Sequence, residues 1–338
     1  MAIQPWNLVA QLKGEWSETQ RIARNCRGGW LELKSKPTPD STTIRKVYED
    51  ELLVWLQEVI GAPKSISRRW VETPEGFLYS PDVQPVYNKP NIPVTSLPQT
   101  GLGTGMWAEV TVPYVDIILE SPPNSPWLQG IEHPRLYYSQ ILWIDEIKTG
   151  ADGLTYYRVN ERYGLDRFWC LAEAFRPLDK AELEPINPGV PDKRVVVDLN
   201  HQTLSCMEGK EEVYFCRVST GSKFNAEGQE VDVWATPPGA HLVWRKAISF
   251  HMQGGSTESG WDTLGVPWTT LFVGEGIAIH STFWHNDFGV PRSHGCVNVP
   301  ADDAKFVFRW TEPYVGYAPG DLTIEWPNPS TVVEVVQG

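Results

Sequence analysis

The sequence predicts a mainly β protein assembled from several small modules, and three observations carry that reading. The first is texture: 28 prolines and 28 glycines in 338 residues cut the chain after Gly28 into short apolar runs, as strands joined by turns do. The second is that two stretches of the N-terminal half repeat one another. The third is a series of alternating runs separated by hairpin turns from Lys193 onward.

Composition narrows the function classes. A formal charge of −13 and the lack of a basic stripe exclude a nucleic-acid partner, because phosphate binding needs clustered Lys and Arg. The 5 cysteines, Cys26, Cys170, Cys206, Cys216 and Cys296, are odd in number and contain no C-x-x-C pair. They suit neither a disulfide framework nor a structural zinc site. Met1 to Arg27 lacks the continuous apolar run of a signal peptide or membrane span, so the sequence leaves two readings open: a cytoplasmic protein, or a mature form whose export signal has been removed.

Taken in order, Trp6, Leu8, Val9, Leu12, Trp16 and Ile22 fall near helical spacing and predict a helical segment over 1–29. The repeat follows. Val47 to Val59 matches Leu136 to Ile147 in its tyrosine, its tryptophan and the acidic-aliphatic pair behind it, with one residue deleted. Downstream, Trp70 through Tyr79 to Gln84-Pro85-Val86 runs parallel to Tyr157 through Trp169 to Arg176-Pro177-Leu178. Each copy reads as a small barrel of short strands, one over 30–88 and one over 107–179, with a Pro- and Thr-rich linker at 89–106 and a second linker at 180–192. These copies resemble the bacterial SH3-like barrels that accompany cell-wall enzymes, which implies that their aromatic residues serve as core or bind glycan or peptide.

The last domain is expected over 193–327, with a tail at 328–338. Arg194–Leu199, Thr203–Met207 and Glu212–Val218 are predicted strands, the last two joined at Gly209-Lys210. That two-residue loop sets Cys206 opposite Val213 rather than Cys216, so both thiols are expected free. Thr236-Pro237-Pro238-Gly239 is a turn feeding Ala240–Trp244. Gln253 to Gly265 reads as a mobile loop and a candidate lid, and Ile277–His280 as a strand that delivers a histidine. Pro300 opens a helix with Asp302 and Asp303 near its positive end and Ala304, Val307 and Phe308 on one face. Asp321–Trp326 closes the domain.

Chemistry concentrates in Ile279-His280-Ser281 and Arg292-Ser293-His294-Gly295-Cys296-Val297-Asn298. A thiol with a pKa of roughly 8.5 is only a few per cent ionised near neutrality, so a nucleophilic cysteine wants an imidazole nearby. Two are within the motif. A strand-borne histidine, a loop and then Ser-His-Gly-Cys with an apolar residue and Asn is similar to the signature of YkuD-type L,D-transpeptidase catalytic domains. The Thr-Pro-Pro-Gly turn, Val266-Pro267-Trp268 and Pro319-Gly320-Asp321 extend the resemblance across the domain.

That resemblance implies a YkuD-type β-sandwich with a short helix after the cysteine, in which Cys296 is the nucleophile and His280 the base, its ring oriented by the backbone carbonyl of Ser281. Gly295 lets the backbone approach substrate, and successive N–H groups of His294-Gly295-Cys296 can meet an oxyanion. His294 either polarises the site or fixes the loop. Arg292, Ser293 and Asn298 beside the nucleophile, and Trp268 and Trp284 further off, are candidate substrate contacts. His241, His251 and His285 read as surface or structural residues.

The family activity so implied is cross-linking of peptidoglycan stem peptides, 3→3, through a cysteine thioester. Carbapenem-type β-lactams are the expected inhibitors, and an extracytoplasmic, cell-envelope location follows from the substrate. Water or a free D-amino acid as acceptor would make the same site an L,D-carboxypeptidase or exchange enzyme, and a protein amine would anchor a protein to the wall. A chain that binds peptidoglycan without catalysis is the remaining reading. No complete zinc-ligand set is present for a metallopeptidase, and Gly101 to Gly105 lacks the helix that a phosphate cradle requires. No metal or cofactor is expected.

Overall fold

The computed structural model describes residues 16–162, 166–224, 229–230, 234–254, 261–274, 276–325 and 328–337. The chain divides into two compact units. One comprises Met1–Asp179 with His251–Gly265 and Phe283–His285, and the other Lys180–Phe250, Val266–Thr282 and Asn286–Gly338.

In the first unit, β1 (Ile22–Asn25), β2 (Trp30–Lys34), β3 (Thr43–Tyr48), β4 (Leu52–Val54), β5 (Gln57–Ile60), β6 (Arg69–Thr73), β7 (Gly76–Tyr79) and β8 (Val83–Val86) form two sheets, ordered β4-β1-β8 and β3-β2-β7-β6-β5. Ala23, Leu31, Leu33, Val47, Leu53, Trp55, Val71, Leu78 and Val83 fill the space they enclose. A hairpin of β9 (Gln99–Thr100) and β10 (Gly103–Thr104) follows, within the stretch read as a linker.

Next come β11 (Met106–Val110), β12 (Tyr114–Asp116), β13 (Ile118–Leu119), the short helix α1 (Pro126–Gln129), β14 (Arg135–Tyr137), β15 (Ile141–Thr149), β16 (Thr155–Asn160), β17 (Arg167–Leu171) and β18 (Phe175–Pro177). Six of these strands share a sheet, ordered β13-β17-β16-β15-β11-β18. The two stretches read as a repeat end alike: a 3₁₀ turn at Ser80–Asp82 separates β7 from β8, and another at Ala172–Ala174 separates β17 from β18.

The N-terminal helical expectation needs correction where it can be followed. Ile22–Asn25 is a strand, paired on both sides by β4 and β8, and all four of its residues are buried. A strand enclosed on both faces carries no amphipathic signature. Its Arg24 is held by Asp50 (2.6 Å), by Gln84 (2.8 Å) and by the carbonyl of Phe283 (2.7 Å), so a charged residue tolerates the interior. Residues 1–15 lie outside the described residues.

The second unit carries β19 (Lys193–Asp198), β20 (Thr203–Glu208), β21 (Glu211–Arg217), β22 (Gly239–Leu242), most of β23 (Arg245–Gly254) and of β24 (Trp261–Val273), β25 (Ile277–Ser281), β26 (Val297–Val299), helix α2 (Ala301–Trp310), β27 (Asp321–Thr323) and β28 (Val332–Val336). Its two five-stranded sheets run β21-β20-β19-β28-β22 and β26-β25-β24-β23-β27.

Three expectations change here. Residues 328–338, set aside as a tail, contain β28, which lies between β19 and β22 and runs parallel to β19. The described parts of the candidate lid are strand: Gln253-Gly254 ends β23 and 261–265 begins β24, while 255–260 lie outside the described residues. A bulge between Cys206 and Met207 moves Cys206 opposite Tyr214 instead of Val213, and Cys216 stands opposite Leu204. Both thiols are free, and burial pushes both well above the usual range.

Helix α2 buries Ala304, Val307, Phe308 and Trp310, with Asp302 and Asp303 in its first turn. At its other end Lys246, fully buried, donates to the carbonyls of Phe308 (2.6 Å), Thr311 (2.7 Å) and Pro313 (2.9 Å). The Phe308 carbonyl belongs to the last turn, where a helix leaves acceptors without intrahelical partners, and the other two lie just beyond its end.

Candidate active site

The site is organised by a parallel pair of strands. β25 and β26 run side by side with Ile279 opposite Val297, His280 opposite Asn298 and Ser281 opposite Val299. Side chains alternate along a strand, so His280 and Asn298 share a face. Cys296 immediately precedes β26.

His280 is 2% exposed, and both ring nitrogens are occupied. Nδ1 lies 2.7 Å from the carbonyl oxygen of Ser281. A carbonyl only accepts, so Nδ1 carries the proton and Nε2 presents a lone pair. The amide Nδ2 of Asn298 donates to that lone pair at 3.1 Å. Burial lowers the His280 pKa to about 4, against a smaller upward pull from the Ser281 carbonyl. The imidazole is therefore neutral across the physiological range.

Cys296 is partly buried, and its Sγ lies 3.8 Å from the carbonyl of Gly276. Burial pushes the thiol up to about 11, more than the backbone N–H of Ala278 pulls it down. The resting pair is thus thiol and neutral imidazole rather than thiolate and imidazolium. Such a pair can still attack a carbonyl if the proton leaves sulfur as the bond forms.

The loop carrying Cys296 is braced from several directions. Ser293 Oγ donates to the carbonyl of Cys296 at 2.5 Å and accepts the N–H of Gly295 at 3.2 Å. Ser293 therefore staples the loop, and the Gly295 N–H proposed for an oxyanion is already engaged. Gly295 has φ +116°, a left-handed conformation that favours glycine. Its carbonyl accepts from the hydroxyl of Thr236 at 2.7 Å.

The remaining candidates scatter. Arg292 is tied by its N–H to the carbonyl of Thr220 (2.8 Å) and by Nη1 to Asp287 (3.5 Å). His294 is exposed on one side and meets Trp234 edge-on at 4.4 Å, and loss of water on the covered side lowers its pKa. Trp268 is 2% exposed and packs edge-on against Phe308, which makes it core and leaves no face for substrate. Trp284 belongs to the first unit and packs edge-on against Phe283.

His251 is no surface residue: its side chain is enclosed in the first unit between Glu161, 3.3 Å from Nδ1, and Asp262, bonded to Nε2. Thr236 escaped notice as a site residue, and its only sequence signal was its place at the head of the Thr-Pro-Pro-Gly turn. Among the described residues no group of three or more His, Cys, Asp and Glu is arranged to hold a metal ion.

The parallel β25–β26 pair thus carries a buried neutral imidazole on one strand, with a thiol immediately before the other. Residues 192–335 match the family model of the YkuD L,D-transpeptidase catalytic domain, and these residues are such a domain. No curated protein matches the chain.

Solved structures with similarity include a mutant L,D-transpeptidase of Enterococcus faecium, 19% identical, with 44% of this chain and 50% of that one matched at a TM-score of 0.32. An L,D-transpeptidase of Mycobacterium smegmatis is 13% identical over 57% of this chain and 98% of that one, at 0.33. A third, the L,D-transpeptidase LdtMt1 in complex with imipenem, is 16% identical over 72% and 100%, at 0.33. The chain spans about half the length of the E. faecium protein.

Proposed function

We propose that this chain is a cysteine-dependent peptidoglycan L,D-transpeptidase that makes 3→3 cross-links, accompanied by two SH3-like modules and working in the cell envelope, where its substrate lies. The observation that supports the reading best is the β25–β26 register, which sets His280 beside the strand that Cys296 immediately precedes. Once Asn298 yields, Nε2 of His280 takes the thiol proton while Sγ attacks the carbonyl of the third stem residue. The tetrahedral oxyanion then collapses, His280 returns the proton to the departing D-alanine amine, and a thioester remains. An amine of a neighbouring stem, deprotonated by His280, attacks the thioester, and sulfur leaves as the thiol.

Incubation with a purified disaccharide-tetrapeptide and mass analysis of the products tests this. A dimer lacking one D-alanine is expected from the native protein and not from Cys296→Ala. Release of D-alanine with monomer alone would replace transpeptidation by hydrolysis. An unchanged substrate would overturn the enzyme assignment.

A further inference from the structure

Thr236 lies in the second unit, 60 residues before the thiol and outside the His-Cys motif, yet it is 1% exposed and bonded at both ends. Its Oγ1 accepts the N–H of Gly221 at 2.9 Å and donates to the carbonyl of Gly295 at 2.7 Å. The hydroxyl has one proton, and the Gly221 N–H on its acceptor side directs that proton to Gly295. Gly221 is itself a fitted part. A Cβ there would stand 2.0 Å from the carbonyl oxygen of Trp234 and 2.6 Å from the nitrogen of Thr236, so only glycine permits the approach.

The consequence runs through one peptide plane. In a trans peptide the carbonyl oxygen and the following N–H point in opposite directions. Fixing the Gly295 oxygen on Thr236 therefore aims the Cys296 N–H the other way. Because Ser293 already holds the Gly295 N–H, the direction of the Cys296 N–H, a second donor of the same turn, bears directly on how a developing oxyanion is met.

We propose that Thr236 is a positioning residue for acyl transfer: through the Gly221–Thr236–Gly295 relay it orients the Cys296 N–H toward the carbonyl oxygen under attack. This rests on the reading of Cys296 as the acylating nucleophile.

Two probes of the same sulfur separate the roles. Imipenem acylates Cys296 by carbonyl addition: the S–C bond forms, the β-lactam C–N bond breaks and the thiol proton passes to the ring nitrogen, through an oxyanion. Iodoacetamide alkylates by displacement of iodide, with no oxyanion. In the full chain, Thr236→Val is expected to slow acylation by imipenem about tenfold to a hundredfold. Alkylation should stay within about twofold, since the thiol itself is untouched. Thr236→Ser, which keeps the hydroxyl, should restore acylation.

Acylation of Thr236→Val at the native rate would overturn the proposal. So would parallel loss of both reactions, or failure of serine to rescue, because either marks a merely structural threonine. If the native chain forms no imipenem adduct at Cys296 while iodoacetamide still reacts there, the nucleophile reading itself fails and the proposal falls with it.

Discussion

His280 and Asn298 face each other across a parallel ladder, and the amide of Asn298 donates at 3.1 Å to the nitrogen that would receive the thiol proton. The base is thus held in one tautomer from both sides, with Ser281 on Nδ1 and Asn298 on Nε2. A donor on Nε2 favours the neutral ring. Replacing Asn298 with Ala should therefore raise the apparent pKa of His280 and move the acid limb of the acylation profile to higher pH. Acylation by imipenem measured from pH 4 to 8 checks this, and an unmoved limb would show that the amide has no hold on the ring.

The native profile itself has a sign. With His280 near 4, the base is neutral throughout the physiological range, and acylation should decline only as pH falls toward that value. With the thiol near 11, alkylation by iodoacetamide should climb about tenfold per pH unit from 7 to 10, following the thiolate fraction. A plateau in alkylation at neutral pH would instead reveal a preformed thiolate.

His251 titrates in the opposite sense and affects stability. Burial lowers its pKa, but Glu161 and Asp262 together raise it above the ordinary value near 6.5. A folded-state pKa above the unfolded one stabilises most below the unfolded value and loses that contribution as pH rises through the folded one. Thermal unfolding at pH 6 and pH 9 should show this loss in the native protein and much less of it in His251→Gln. Asp262→Asn should cost about 1.5–3 kcal/mol at pH 6, the scale of a hydrogen bond to a charged group.

Lys246 gives a purely structural prediction. Burial drives its pKa well below the usual range, but its amine satisfies three carbonyls where α2 ends. Lys246→Met keeps the volume and strands those acceptors, at about 1–3 kcal/mol for each that water does not reach. Chemical denaturation should show a lower midpoint with an unchanged slope. A neutral result would mean that removing the buried charge offsets the lost bonds.

Much of this was written in local sequence. Short strands between turn residues, the strand ending in His280 and the helix after Pro300 each follow from neighbours in the chain. What escaped depends on partners far away. Ile22–Asn25 was drawn into the helical expectation because Ile22 continues the spacing of the apolar residues before it, while a strand buried on both faces has no alternation of its own to contradict that. The strand β28 looked like a tail because Val332–Val336 gains meaning only beside β19. Cys206 missed its expected partner by one residue because a bulge leaves no mark in the alternation. At the site, residue types identified Cys296 with His280 and His294 as candidates, and the family resemblance singled out His280 as the base. The stapling by Ser293, the amide of Asn298 on the ring and the hold of Thr236 on Gly295 are matters of side-chain direction that spacing alone does not encode.

The place of β28 bears on how the protein is made. Synthesis proceeds from the N-terminus, and β19 is complete well before Val332–Val336 leaves the ribosome. Until then β19 and β22 have no strand between them, and the row of N–H and C=O groups on that side of β19 stands open to any extended chain nearby. Cys296 is by that time already in the growing polypeptide. That edge closes only when β28 arrives and pairs with both neighbours.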